Sequence, residues 1–141
     1  MNIRTNIIVM LWTAMFFTMP SVKASAQCLI DPCSKHVSAK CIVIKTFDLG
    51  KLKEENEVSY VFSKHTAYLI ALCSDLPETD VEIELLDYNK NKIASNVISS
   101  KQYKSDFVFT CEATGVYYLR VIPSKKTKGT CYKLYIGLNK K

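Results

Sequence analysis

Residues Thr114–Asn139 read TGVYYLRVIPSKKTKGTCYKLYIGLN. This stretch decides the fold class, because it holds two runs that alternate with a period of two. In GVYYLRVI, Tyr117, Leu119 and Val121 fall on one face and Tyr118 and Arg120 on the other. In CYKLYIGL, Tyr132, Leu134 and Ile136 share a face opposite Lys133 and Tyr135. Such alternation marks a half-buried strand. A flexible, lysine-rich loop, PSKKTKGT, joins the runs, so the pair reads as a hairpin with Cys131 at its base. On that reading Tyr118, Arg120, Lys133 and Tyr135 form an outward face and a candidate partner-binding surface. Outward tyrosines stack on sugar rings or anchor a protein partner; they also pack across strands for stability alone.

The pattern extends upstream. SYVFS (59–63) and TAYLIALCS (66–74) are rich in β-branched and aromatic residues. DVEIELLD sets Val81, Ile83 and Leu85 against Glu82 and Glu84, and DFVFTC sets Phe107 and Phe109 against Val108 and Thr110. YNKNK reads as a turn whose asparagines accept positive φ, with IASNVI returning as a short strand. GKLKEENEVSY is the best helix candidate, yet it lacks an apolar stripe and fits an exposed loop or strand edge better. Short strands about ten residues apart indicate a sandwich or barrel. The expected fold is all-β: a small antiparallel, jelly-roll-like β-sandwich stabilised by disulfides.

The first residues stand outside that fold. MNIR is a basic n-region, Ile7–Met19 an apolar run of thirteen residues, and Ala24-Ser25-Ala26 a small-x-small cleavage signal. A thirteen-residue helix rises about 20 Å, short of a hydrocarbon core of about 30 Å. The expected organisation is a cleaved signal peptide over 1–26, an irregular cysteine-containing leader over 27–40, and a sandwich over 41–141, with no stable membrane anchor. Gln27 stands before Cys28 where a lipobox requires Gly, Ala or Ser. The expected localisation is periplasmic or secreted.

All six cysteines, Cys28, Cys33, Cys41, Cys73, Cys111 and Cys131, follow the signal segment. An even count in an exported chain reads as a disulfide framework. If all six pair, at least one bridge must join the N-terminal trio to the trio in the body. Cys73 and Cys111 end strands, which makes either the expected partner of Cys131 at the sandwich rim.

Other chemistries are disfavoured. The net charge is +6, but lysine supplies nearly all of it, and Arg120 is the sole arginine after the signal segment. Nucleic-acid binding recruits arginine and a recognisable motif, so no nucleic-acid partner is expected. Cys28, Cys33, His36 and Cys41 are zinc-ligand types at the wrong spacing and without glycine. Asp87, Asn89 and Asn91 begin like a calcium loop, but Lys92 and Ile98 occupy its glycine and glutamate positions. His36 and His65 stand in no hydrolase motif, and alternation alone explains Glu82 and Glu84. No catalytic residue, metal or cofactor is expected.

The succession AYLIAL, DVEIELLD, ATGVYYLRV and CYKLYIGL carries a family likeness. Asp80 and Asp87 bound the second motif, and Glu82 stands where the family has a middle aspartate. From about residue 59 to 138 the chain resembles the bacterial pre-peptidase C-terminal (PPC-like) domain. The resemblance implies a small β-sandwich serving secreted peptidases as an accessory or binding module, sometimes with calcium. The chain departs from that family in having no peptidase region and in its six cysteines, so the sandwich carries over better than any specific activity. The expected function is an exported, non-catalytic module recognising a protein or glycan of the cell envelope or exterior. The alternative is an envelope-associated structural subunit of a larger assembly.

Overall fold

The structure, a computed structural model, describes residues 28, 31–76, 80–100, 102–127 and 129–140. The expected signal peptide lies outside them. Among the described residues one helix, α1 (Asp31–Lys40), precedes ten strands: β1 (Cys41–Lys51), β2 (Asn56–Phe62), β3 (Ala67–Ser74), β4 (Val81–Leu86), β5 (Lys92–Ser95), β6 (Val97–Ser99), β7 (Gln102–Tyr103), β8 (Asp106–Thr110), β9 (Gly115–Pro123) and β10 (Cys131–Asn139).

The strands pair in nested fashion: β1 with β10, β2 with β9, β3 with β8 and β4 with β5, all antiparallel. The chain is therefore one long antiparallel ribbon, folded at the β4–β5 turn and rolled on itself. Rolling yields two four-stranded sheets, β1-β10-β3-β8 and β2-β9-β4-β5. This is the double-sheet jelly roll, as expected. It overturns the hairpin expected of β9 and β10, which lie in different sheets. Alternation tells which side chains face the core, but not which sheet a strand joins.

The core holds the inward sets read from sequence: Ile83 and Leu85, Leu119 and Val121, and Tyr132, Leu134 and Ile136, with Phe62 fully buried among them. Phe62 meets the ring edges of Tyr60, Tyr68, Phe109 and Tyr117 at centroid distances of 4.7–5.7 Å, a favoured aromatic geometry. β3 is buried on both faces, which explains its unbroken apolar run. Tyr68, Ile70 and Leu72 enter the main core. Leu69, Ala71 and Cys73 enter a second cluster with Val37, Cys41, Cys131 and Tyr135. That cluster lies under α1, so the residues expected to form an irregular leader instead include a helix. Pro32 suits its first turn, where a missing N–H costs nothing.

Four cysteines pair rather than six. Cys28 bonds Cys131 and Cys33 bonds Cys73, while Cys41 and Cys111 are free and buried. The expected partners of Cys131 are wrong for a reason of facing. Cys73 and Cys131 both point outward from one sheet and each takes a cysteine of the N-terminal segment, whereas Cys111 belongs to the main core on the sheet's other side. The loop before Cys131 is also less free than expected. Its Thr127 and Thr130 are buried, Tyr132 Oη donates to the Thr127 carbonyl at 3.3 Å, and Leu52 exchanges backbone bonds with Thr130 and Gly129.

The return after β4 is broken as well. IASNVI is split at Asn96, a buried side chain that stands in for a strand backbone. Its Oδ1 accepts from Ile83 N at 2.7 Å, and its Nδ2 donates to the carbonyls of Val81 and Lys104, each at 2.8 Å. This anchors the β6–β7 ribbon to the sheet. In the β4–β5 turn the positive φ falls on Lys90 (67°), not on an asparagine.

Candidate partner-binding rim

The four residues expected to share a surface do not meet. Tyr118 and Arg120 lie on the outer face of the β2-β9-β4-β5 sheet. Lys133 and Tyr135 lie on the outer face of the other sheet, across the sandwich. Tyr135 points outward as its parity requires, yet it is buried beneath α1. Lys133 is half-buried, between Asp48 and Cys73 in register.

Tyr118 is not an open platform either. Lys90 Nζ stands 3.0 Å from its ring centroid, a cation–π contact. Arg120 is held from both sides: Nη2 lies 3.2 Å from Glu57 Oε2, and Nη1 lies 3.5 Å from Glu84 Oε2. Lys92 binds Glu82 at 2.6 Å and Glu84 at 3.0 Å, and Lys90 also pairs with Glu57. Three carboxylates and three cations thus form a ladder across all four strands. The hydrogen bond from Lys90, aided by Arg120, holds the Glu57 carboxyl below its usual range. Hydrogen bonds to Glu82 and Glu84 raise Lys92 above the usual lysine range.

The remaining sequence candidates have structural partners. Asp87 Oδ1 accepts from the backbone N of Asn89 and of Asn91, each at 2.8 Å, and Asn91 Nδ2 donates to its Oδ2 at 3.1 Å. The carboxylate shapes the turn, and the Asn91 bonds keep it acidic. Cys28 and Cys33 commit their sulfurs to separate disulfides, and Cys41 Sγ lies 3.4 Å from the Val37 carbonyl under α1, away from exposed His36. Burial raises the Cys41 thiol pKa. Cys111 Sγ faces the Ala113 carbonyl at 3.1 Å.

An accessible apolar surface lies elsewhere, where the sandwich opens between the edge strands β1 and β2. There a groove of about 450 Å³ is lined by Lys45 and Phe47 of β1, Ser59, Tyr60 and Val61 of β2, and Val116 of β9. Val61 and Val116 are cross-strand partners, 57% and 42% exposed, and Ile42 and Ile44 of β1 are exposed as well. Lys45 Nζ sits 5.3 Å from the Phe47 ring centroid. None of the ion pairs among the described residues uses it. Sequence reasoning missed this rim, although one signal was present: Val61 and Val116 are apolar residues on faces that their own alternation marks as outward.

No helix among the described residues is long and apolar enough to cross a membrane. The two disulfides fit an oxidising, extracytoplasmic environment. Compared with protein-family models and with curated protein sequences, the chain matches none.

Proposed function

We infer that this protein is an exported, non-catalytic β-sandwich binding module that recognises a protein through the β1–β2 rim. The signal-like segment at 1–26 and the disulfides support a periplasmic or secreted site of action. The likeness to the PPC-like family supports an accessory role. The observation that carries the reading is the open rim itself, where β-branched side chains and an unpaired cation surround a groove. Exposed apolar surface with a polar border is the usual mark of a protein contact. A protein fits better than a glycan. Tyr118, the tyrosine expected to stack on a sugar ring, lies against Lys90 instead, and the rim's exposed side chains are mainly β-branched.

Site-specific photocrosslinking in producing cells tests this. A benzophenone side chain at Val61 should yield a discrete protein adduct, and one at Val108, exposed on the opposite edge, should not. Equal labelling at both positions, or none at Val61, overturns the rim as the binding surface.

A further inference from the structure

Each sheet of an open sandwich has two edges, and natural edges are normally blunted against stray pairing by bulges, lysines, prolines or shortness. Three of the four edges here follow that rule. β1 has two register irregularities and carries Lys45 and Lys51. β5 has four residues, an irregularity and Lys92. β8 has five residues. β2 is different. It runs seven residues in unbroken register with β9, from Asn56↔Val121 to Phe62↔Gly115, and contains no proline, lysine or bulge. Its one charge, Glu57, is already neutralised by Lys90 and Arg120. Alternate residues of an antiparallel edge strand turn N–H and C=O away from their partner, and β2 pairs with β9 alone.

We propose that β2 is a strand-docking edge that takes an extended acidic peptide segment of the partner protein, adding a fifth strand to the sheet. This rests on the reading of the rim as the binding surface and names what enters it. The pleat dictates the side-chain pattern. A residue opposite Val61 lies on the outer face, beside Val61, which itself packs on Val116 of β9, and wants to be apolar. Its neighbour opposite Tyr60 points inward over the groove, where Lys45 has no carboxylate partner among the described residues. An aspartate or glutamate there supplies the missing charge. The recognised unit is therefore an apolar residue next to an acidic one in an extended backbone, the strand-addition mode of peptide recognition. A second copy of this chain is the wrong occupant. Its β2 edge offers Lys45 no free acid, since Glu57, the one carboxylate of that strand, is already paired with Lys90 and Arg120.

The test uses synthetic peptides on the folded, disulfide-intact protein. The probe is a capped Thr-Val-Asp-Val-Asp-Val-Thr peptide. One control replaces its aspartates by lysines; another N-methylates alternate backbone nitrogens, which blocks strand pairing but keeps the side chains. The aspartate peptide should bind, protect β2 amides from hydrogen exchange, and lose at least tenfold in affinity in either control. Lys45→Glu should reverse the preference between the aspartate and lysine peptides. Val61→Lys should weaken both. Binding without β2 protection, indifference to N-methylation, or no reversal in Lys45→Glu overturns the proposal, even if crosslinking at Val61 upholds the rim. A concentration-dependent dimer abolished by Val61→Lys also overturns it, in favour of self-pairing. If the rim itself is wrong, Val61 crosslinking fails as well, so the two failures are distinguishable.

Discussion

The outer faces of the two sheets are finished in opposite ways. One is apolar and roofed: Leu69, Ala71, Tyr135, Cys41 and Val43 lie under α1. The other is bare and largely polar: beside the exposed Val61–Val116 pair, Glu57, Arg120, Glu84, Lys92 and Glu82 form a ladder in contact with solvent. The helix that makes the roof has little to hold it by packing. Among its described side chains Val37 is the one deeply buried hydrophobe, with Cys33 half-buried beside it. Two disulfides do what an apolar stripe does in an ordinary surface helix, and Lys40–Asp106 (2.6 Å) pins its C-terminal end. A sandwich of this size buries only about two thirds of the surface its unfolded chain exposes. Covering a second apolar face enlarges the buried area, and covalent bonds keep a weak helix in place to do so.

Breaking the roof should therefore have the largest effect. Cys28 and Cys131 are 103 residues apart in sequence. In the chain-entropy model, Cys28→Ser with Cys131→Ser loses roughly 4 to 5 kcal/mol. Urea denaturation without reductant measures it. Because the loop before Cys131 is stapled through Thr127 and Thr130, new proteolysis should appear in and around α1 rather than in Ser124–Thr130. Cleavage first within that loop would mean the bridge holds β10 and not the helix.

A local probe sharpens the same comparison. Gly137 lies on β10 directly beneath Cys41. A Cβ at that position would come within 2.9 Å of Cys41 Cβ and 3.0 Å of the Ile42 carbonyl, and closer still to the thiol sulfur. Gly137→Ala should cost about 1 to 3 kcal/mol by overpacking, and adding Cys41→Ala, which removes the sulfur but keeps Cβ, should recover part of it. No recovery would place the strain in the β1 backbone instead. Nothing on the ladder face is packed this closely among the described glycines.

What could be read from the sequence follows the same divide. β4, β9 and β10 were legible because each alternates cleanly against one core. β3 was legible as a continuous apolar run, although only the structure shows what covers its second face. β1 escaped because register irregularities near Ile44 and Leu49 break its alternation. α1 escaped because a helix held by disulfides needs no apolar periodicity, and DPCSKHVSAK has none. The candidate surface failed at Tyr135 for a related reason. Parity placed it outward correctly, but outward means exposed only where nothing is roofed over the sheet. The same parity puts Cys131 with Lys133 and Tyr135 on the outer face. That was the available clue that its partner comes from outside the sandwich.

The ladder should give the smallest effect, distinguished by its dependence on pH and salt. Glu57 is partly exposed, and a pair of this kind contributes less than about 1 kcal/mol. Its folded pKa is depressed, by Lys90 first and Arg120 next. The unfolded chain therefore takes up this proton at higher pH than the folded one. The contribution is complete above the unfolded glutamate value of about 4.3 and disappears as pH falls through the lower folded value. Lys92 has the opposite sign. Its folded pKa is raised by Glu82 and Glu84, so its contribution is complete below the unfolded lysine value of about 10.4 and is lost as pH climbs through the higher folded value. Glu57→Gln should cost a fraction of a kcal/mol at pH 7, less at high salt because exposed charges are screened, and progressively less as pH falls below the unfolded glutamate value. The loss in the Cys28→Ser, Cys131→Ser chain should stay nearly constant over the same pH range. A Glu57→Gln penalty that does not shrink with falling pH would show that Glu57 acts by packing on Lys90 and Tyr118 rather than by charge. The bare face would then be held together in the same manner as the roofed one.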